Sequence, residues 1–224
     1  MCGRFNFLTH KKAIAERFGV KKFEMDLVPR YNIAPTQQVA VIIQDPEPRV
    51  VGMRWGLIPF WAKDPKIGNK MINARSETID TKRVFSHSFK KKRCLIPATG
   101  FYEWQKTKDG KRPMHIRLQS KDPFAFAGIY SHWKAPTETI IMSCSILTTQ
   151  PNDLLKPIHD RMPVILDVDQ EDAWLDSAND DIDALKRMLD PFPSNLMEVY
   201  EVSTYVNNAR NDGPQCTQPA KSNS

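Results

Sequence analysis

Several features that would narrow the chemistry quickly are absent from this sequence. Its 4 cysteines, Cys2, Cys94, Cys144 and Cys216, lie far apart with no Cys-x-x-Cys pair or Cys/His cluster. Zinc-ligand spacing is therefore missing, a disulfide scaffold does not suit a chain of 224 residues, and a reducing cytosol is the expected home. No stretch approaches the roughly 18 apolar residues of a membrane span, and the N-terminus shows no apolar signal-peptide core, so the expectation is a soluble, cytoplasmic protein. Glycine is scarce, with 9 residues against 17 prolines scattered along the chain. That balance suits many short elements joined by turns and argues against a long-helix bundle. No internal repeat is visible. With 41% hydrophobic residues the chain can fill one sizeable core, and a single domain is expected. The net charge of +6 is diluted by 26 acidic residues, which makes a polyanionic partner a mild preference over a plain soluble enzyme.

What is present begins at the first five residues, Met-Cys-Gly-Arg-Phe. Removal of Met1 would make Cys2 the N-terminus, with an α-amine of pKa roughly 7.7–8.0 beside a thiol of roughly 8.5. The amine condenses with an aldehyde to an imine, and the thiol closes on the imine carbon to give a five-membered thiazolidine. The same residue also suits a different use, in which the thiol attacks a carbonyl and the freed amine serves as its base. Taken alone, Cys2 reads first as a small buried residue on a first strand, and other parts of the chain must overturn that reading.

Along the chain, Thr9 reads as the cap of a helix through about Phe18 with Gly19 as its stop. Residues 39–43 and 49–54 read as a hairpin across Asp-Pro-Glu-Pro. The segment Trp55 to Trp61 carries three large aromatics around Gly56 and Pro59, a rigid loop of the kind that stacks on bases; the other reading is that the aromatics are core, Trp55 above all, with Phe60 and Trp61 either buried or exposed. In an extended Met71 to Glu77, Asn73 and Arg75 share one face, as a site or as a surface salt bridge. Residues 78–92 read as a helix with Val84, Phe85, Ser88 and Phe89 inward, and Arg83 with Lys90 to Arg93 form a basic cluster. Strands follow from Cys94 and Gly100, the second pairing across Asp109-Gly110 with residues 113–118. Alternation puts Glu103 with Phe101 and Gln105. Facing inward it would be a carboxyl of raised pKa fit for proton transfer; facing outward it is a surface glutamate. Residues 124–130 and 139–147 read as central strands. His159 and Arg161 precede another short strand, where the histidine is either a neutral base or a structural group. Two helices over 169–178 and 180–190 and a last strand at 196–202 complete the domain, and the chain from 211 to 224 reads as a flexible polar tail.

Six of these pieces occur in an order that resembles the SRAP family, the SOS response-associated peptidase or abasic-site processing proteins. They are Met1-Cys-Gly-Arg-Phe5, Arg30-Tyr-Asn-Ile-Ala-Pro35, Trp55-Gly-Leu-Ile-Pro59, Ile72-Asn-Ala-Arg-Ser-Glu77, Gly100-Phe-Tyr-Glu-Trp104 and His159-Asp-Arg-Met-Pro163. The match spans residues 1–210. The resemblance implies an α+β fold, one domain with a mainly antiparallel, barrel-like β core and peripheral helices. It implies that Cys2, freed of Met1, captures the ring-opened aldehyde of an abasic site in single-stranded DNA as a thiazolidine crosslink. By the same similarity Asn73 positions Cys2, Glu103 moves protons, and His159 assists sugar-ring opening and reversal. Arg4, Arg75, Arg83, Arg161 and Thr148 look like backbone contacts to DNA, while Pro35, Phe60 and Trp61 match a wedge against the bases. Phe60 stands where tryptophan occurs in some members, which reduces stacking area. Self-processing peptidase and lyase activities come with the resemblance.

Carbonyl chemistry read independently agrees. An imine at the sugar's C1 acidifies the C2 hydrogens and promotes strand cleavage, and ring closure by the thiol removes that electron sink. The inventory needs no metal or cofactor, and a monomer acting on abasic single-stranded DNA, associated with the nucleoid when engaged, is the expected state. Two rival readings remain: an N-terminal-nucleophile cysteine peptidase with His159 as base, and a non-covalent single-strand binder in which Cys2 is inert.

Overall fold

A computed structural model describes residues 2–220. The elements in chain order are β1 (Phe5–Phe7), α1 (Lys11–Phe18), β2 (Lys22–Phe23), β3 (Arg30–Ile33), β4 (Gln38–Gln44), β5 (Pro48–Trp55), β6 (Asn73–Arg75), α2 (Arg83–Lys91), β7 (Arg93–Ala98), β8 (Gly100–Thr107), β9 (Gly110–Leu118), β10 (Phe124–Lys134), β11 (Ile140–Thr149), β12 (Met162–Pro163), α3 (Glu171–Leu175), α4 (Ile182–Arg187) and β13 (Met197–Glu201). The strands form two sheets, one ordered β13-β9-β8-β1-β3 and the other β12-β11-β10-β7-β4-β5-β2. The second curls into a closed ring because β5 also pairs with β11, in parallel, through Arg54 opposite Ser143 and Trp55 opposite Cys144. Closure leaves the ring strands without free edges. The α+β domain with a largely antiparallel, barrel-like core is thus what the chain forms. No helix among the described residues is long and apolar enough to cross a membrane.

The strand interiors follow from composition. Every residue of β7 is buried, the pattern of a continuous apolar run covered on both faces, and β10 and β11 continue it beside that strand. The two sheets meet at Phe5. Its ring lies edge-on to Trp55 at 5.2 Å and to Phe126 at 5.8 Å, while its backbone pairs with Ile33 and Phe101. Phe101 packs in turn against Phe126 at 6.0 Å. Aromatic pairs of this geometry are worth about 0.5–1.5 kcal/mol beyond the area they bury.

Local elements depart from expectation in instructive ways. The cap of α1 is His10, whose Nδ1 accepts from Ala13 N–H at 3.3 Å, and the helix ends at Gly19 in the left-handed conformation, φ 63°. The helix expected over 78–92 is a short turn at Ser76–Thr78 followed by α2. Arg93, counted from sequence in a solvated basic cluster, is buried. Its guanidinium donates to the carbonyls of Phe89, Lys90, Trp174, Asp176 and Asn179, joining the end of α2 to α3. Both later helices are shorter than their sequence pattern.

The largest departure concerns the segment after 210. Where composition reads a flexible polar tail, residues 211–220 pack on the first sheet, because polar groups rather than apolar ones hold them. The Asp212 carboxylate accepts from the Tyr31 and Asn32 N–H groups at 2.5 and 3.0 Å and pairs with Arg30. Cys216 is buried, and Pro219 bridges Val202. Residues 221–224 lie outside the described residues.

A buried polar network fastens β1 to β8, β9 and β3. Asn6 Nδ2 donates to Tyr102 Oη at 3.1 Å and meets His115 Nε2 at 2.7 Å, Asn6 Oδ1 accepts from Thr99 Oγ1 at 2.8 Å, and Tyr102 donates to the Tyr31 carbonyl at 2.7 Å. Burial holds the pKa of His115 at about 3, so the ring is neutral and its Nε2 accepts. Gly100 leaves room for it: a Cβ there would sit 2.4 Å from His115 Nε2. Gly100→Ala is therefore expected to cost about 1–3 kcal/mol of stability, checked by urea unfolding with an unchanged denaturant slope.

Candidate active site

Four elements deliver side chains to one place. Cys2 precedes β1 and is buried. Its thiol donates to the Arg4 carbonyl at 3.7 Å, and its own carbonyl accepts from Asn73 Nδ2 at 2.8 Å. Asn73 is held there because β6 pairs in parallel with β11, Asn73 opposite Ile146 and Arg75 opposite Thr148. Asn73 Oδ1 is buried with no hydrogen-bond partner among the described residues.

Glu103 arrives from β8, whose pairing with β1 sets Phe101 against Phe5 and sends the Tyr102 N–H to the Arg4 carbonyl at 3.0 Å. The inward face wins: Glu103 is 3% exposed. Burial, the largest influence on it, raises its pKa from 4.5 to about 7, so both protonation states are populated near neutral pH. The Cys2 thiol is pushed far up, first by burial and then by the Glu103 charge, which places the two groups within electrostatic reach.

His159 comes from the turn before β12, tied down by its N–H to the Leu155 carbonyl at 2.9 Å. Gln105 on β8 donates to the Pro157 carbonyl at 3.2 Å, which holds that turn against the strand carrying Glu103. His159 Nε2 lies 4.0 Å from Glu103 Oε2. Its Nδ1 lies 3.0 Å from the Arg161 N–H. Asp160 Oδ1 is 2.8 Å from the same Nδ1, a contact that is attractive whenever that nitrogen carries a proton and strongest when the ring is charged. Burial is the main influence lowering the His159 pKa, which favours the neutral ring. The structure thus brings Cys2, Asn73, Glu103 and His159 together. Among the described residues no group of three or more His, Cys, Asp or Glu is placed to hold a metal ion.

The residues expected to meet DNA divide into two sets. Phe60 and Trp61 stand out from the surface, 59% and 42% exposed. Both lean on α2: Phe60 packs on His87 at 5.4 Å and Arg83 lies over Trp61 at 5.2 Å. Arg75 and Arg83 are exposed, and Pro35 is half-buried. Trp133 Nε1 donates to the Ala62 carbonyl at 2.7 Å, fixing the loop from below. The other set is engaged internally. Thr148 is buried and Arg161 is 7% exposed, its guanidinium bidentate on Glu77 at 2.5 and 2.9 Å and donating to the Thr148 carbonyl at 2.6 Å. That pairing is the main cause of the depressed Glu77 pKa. A phosphate reaches Arg161 only by competing with Glu77. Arg4 is half-buried, its guanidinium bound to Asn32 Oδ1 and to the Val206 and Asn207 carbonyls. Sequence reasoning passed over Asn32, Glu77 and Asp212. Asn32 sat inside a quoted motif in a stretch read as an irregular loop, where the structure forms β3 and buries the amide.

This arrangement can be set beside known proteins. A family model described as SOS response associated peptidase (SRAP) matches residues 1–209. The chain belongs to the SRAP family. It is similar to the abasic site processing protein YoqW of Bacillus subtilis strain 168, 46% identical over 219 residues that cover 96% of this chain and 98% of that one. It is also similar to the abasic site processing protein HMCES of Xenopus tropicalis, 35% identical, with 84% of this chain and 65% of that protein covered. Among solved structures, a Bacteroides thetaiotaomicron protein shares the fold at a TM-score of 0.87 and 28% identity, covering 98% of this chain and all of that one, 100%.

In this SRAP chain the raised Glu103 pKa is linked to stability. The folded protein holds the Glu103 proton between pH 4.5 and about 7, where the unfolded chain has released it. Stability from this group is therefore fullest below pH 4.5 and declines as pH rises toward 7, by about 3 kcal/mol in all. Glu103→Gln is expected to flatten that decline: its Tm should exceed that of the unsubstituted protein at pH 8, with the gap closing at pH 5.

Proposed function

We propose that this protein captures the ring-opened aldehyde of an abasic site in single-stranded DNA through Cys2, after removal of Met1, as a thiazolidine crosslink that shields the site. Met1 lies outside the described residues. The observation that carries the reading is the convergence of Asn73, Glu103 and His159 on the one residue whose amine and thiol can both bond to an aldehyde carbon. The names of the relatives, abasic site processing proteins, agree with it.

The residues divide the work. Asn73 holds the Cys2 carbonyl and offers its Oδ1 to the freed amine. The amine adds to the aldehyde, and the carbinolamine hydroxyl leaves as water when protonated. Glu103, with a pKa of about 7, supplies that proton and later takes one from the thiol. As the thiolate sulfur bonds to the iminium carbon, the C=N electron pair moves to nitrogen, which keeps the hydrogen it already bears, so one water is lost overall and Glu103 ends protonated as it began. His159, neutral, assists opening of the sugar ring. Exposed Phe60 and Trp61 stack on bases flanking the lesion, and Arg75 and Arg83 meet phosphates. The protein works as a monomer on DNA in the cytoplasm.

A second reading rests on the peptidase in the family's description. The Cys2 thiol would attack the carbonyl ahead of it, with His159 as base, and clear its own N-terminus. Intact-protein mass spectrometry, before and after mixing with an oligonucleotide carrying one abasic site, tests both. Capture predicts a protein lacking Met1 and a one-to-one adduct at Cys2 with loss of one water; a Met1-free protein that forms no adduct defeats it. Self-processing predicts that Cys2→Ser retains Met1 when the native chain loses it. Cys2→Ala, freed of Met1, keeps the amine and should nick the strand through the imine. Replacing Phe60 and Trp61 by alanine should weaken DNA binding by about 1–3 kcal/mol for each lost stack, with adduct formation preserved at saturating DNA.

A further inference from the structure

The Arg4 carbonyl is the acceptor of the Cys2 thiol, so whatever fixes residue 4 fixes the direction of the sulfur. Two groups hold that carbonyl and its residue. One is the Tyr102 N–H, at 3.0 Å. The other is a polar clasp around the Arg4 guanidinium: Asn32 Oδ1 at 2.8 Å, the Val206 carbonyl at 2.8 Å and the Asn207 carbonyl at 3.3 Å, with the Trp104 ring 5.8 Å beneath. Asn32 is fully buried, and its Nδ2 is shared among the carbonyls of Val206, Asn208 and Asn211, at 3.1, 3.1 and 2.8 Å. The strap of chain that supplies these carbonyls is closed by Asp212 on Arg30 and on the Tyr31 and Asn32 N–H groups. Trp104 Nε1 adds a bond to Asn207 Oδ1 at 2.7 Å.

We propose that the C-terminal strap, residues 203–216, latched by Asp212 and threaded through Asn32, is a positioning device for Cys2 that acts through Arg4. The inference rests on the reading of Cys2 as the reacting residue. Asn32 and Asp212 are positioning residues and touch no substrate. The strap presents a row of carbonyls, and a row of carbonyls is complementary to a guanidinium, not to a phosphate. Arg4 therefore spends its donors on holding the main chain beside Cys2. Closing a five-membered ring requires the sulfur in reach of the imine carbon, and a displacement of about 1 Å in such a geometry can cost up to about 100-fold in rate. The latch lies past residue 209, where the family match ends, so this part of the device is read from this chain's own contacts.

The test uses the full chain lacking Met1, with Asp212→Ala to open the latch and Asp212→Asn to keep an acceptor for the Tyr31 and Asn32 N–H groups. Asp212 is partly exposed, and thermal melting confirms that each variant is folded. Three quantities are read: affinity for single-stranded DNA carrying a tetrahydrofuran abasic analogue, which has no aldehyde; the first-order rate of adduct formation at saturating abasic DNA; and the pH profile of Cys2 alkylation by iodoacetamide without DNA, mapped by peptide mass spectrometry. The expected result is an adduct rate about ten-fold lower in Asp212→Ala, affinity within two-fold of the parent, a shifted Cys2 alkylation profile, and recovery of most of the rate in Asp212→Asn. An unchanged rate and profile in a parent that does form the adduct overturns the strap proposal and leaves the capture reading standing. Lost affinity with an unchanged saturated rate overturns it as well, by assigning the strap to DNA binding. No adduct with the parent protein overturns the capture reading itself.

Discussion

Phe5 between two sheets is the constraint on which the rest depends. Its backbone is shared by β3 and β8 and its ring by Trp55 of β5 and Phe126 of β10, so one side chain joins the first sheet to the closed ring. Cys2 lies three residues ahead of it. A residue that close to a chain end would ordinarily fray, since nothing compensates the entropy of ordering it. Here the order is imposed from behind by an aromatic cluster and from the side by Asn73, Glu103's strand and the Arg4 clasp.

The ring contributes through its irregular pairing. Antiparallel hairpins would bring only neighbours in sequence together, whereas β11 runs parallel to both β5 and β6. That strand thereby sets the Trp55 loop, which leads to Phe60 and Trp61, beside the segment carrying Asn73 and Arg75. The surface aromatics and the enclosed Cys2 cluster are built on one rigid frame. Distances between them follow from sheet geometry and owe little to loop flexibility.

Much of this was legible in the sequence. The hairpin at residues 38–55, the aromatic loop, the strand carrying Glu103 and the order of six motifs all carry local signals: β-branched runs, turn residues and aromatic spacing. What stayed hidden was orientation and partnership. Alternation gives Glu103 two faces to choose from and cannot say which is inward, since that depends on distant segments, such as the turn carrying His159, that pack against β8. Arg161 read as a contact to DNA and Arg93 as part of a basic helix end because a guanidinium's partners, Glu77 in one case and five carbonyls in the other, are distant in sequence or on the backbone. Residues 211–220 read as loose because hydrophobicity is the signal for packing, and the strap is held by an aspartate and an amide.

The separation between Arg4 and Val206, 202 residues, also orders events in time. On a ribosome the residues around Arg4 emerge well before the strap. β1 finds β8 only after half the chain is made, and the Arg4 clasp closes only when residues 203–212 have cleared the exit tunnel. The Cys2 region is therefore made well before the segment that fixes it and is set in place late. Throughout that interval residues 2–4 lack the contacts that fix them, and the geometry around Cys2 is completed only when residues 203–212 have joined the fold.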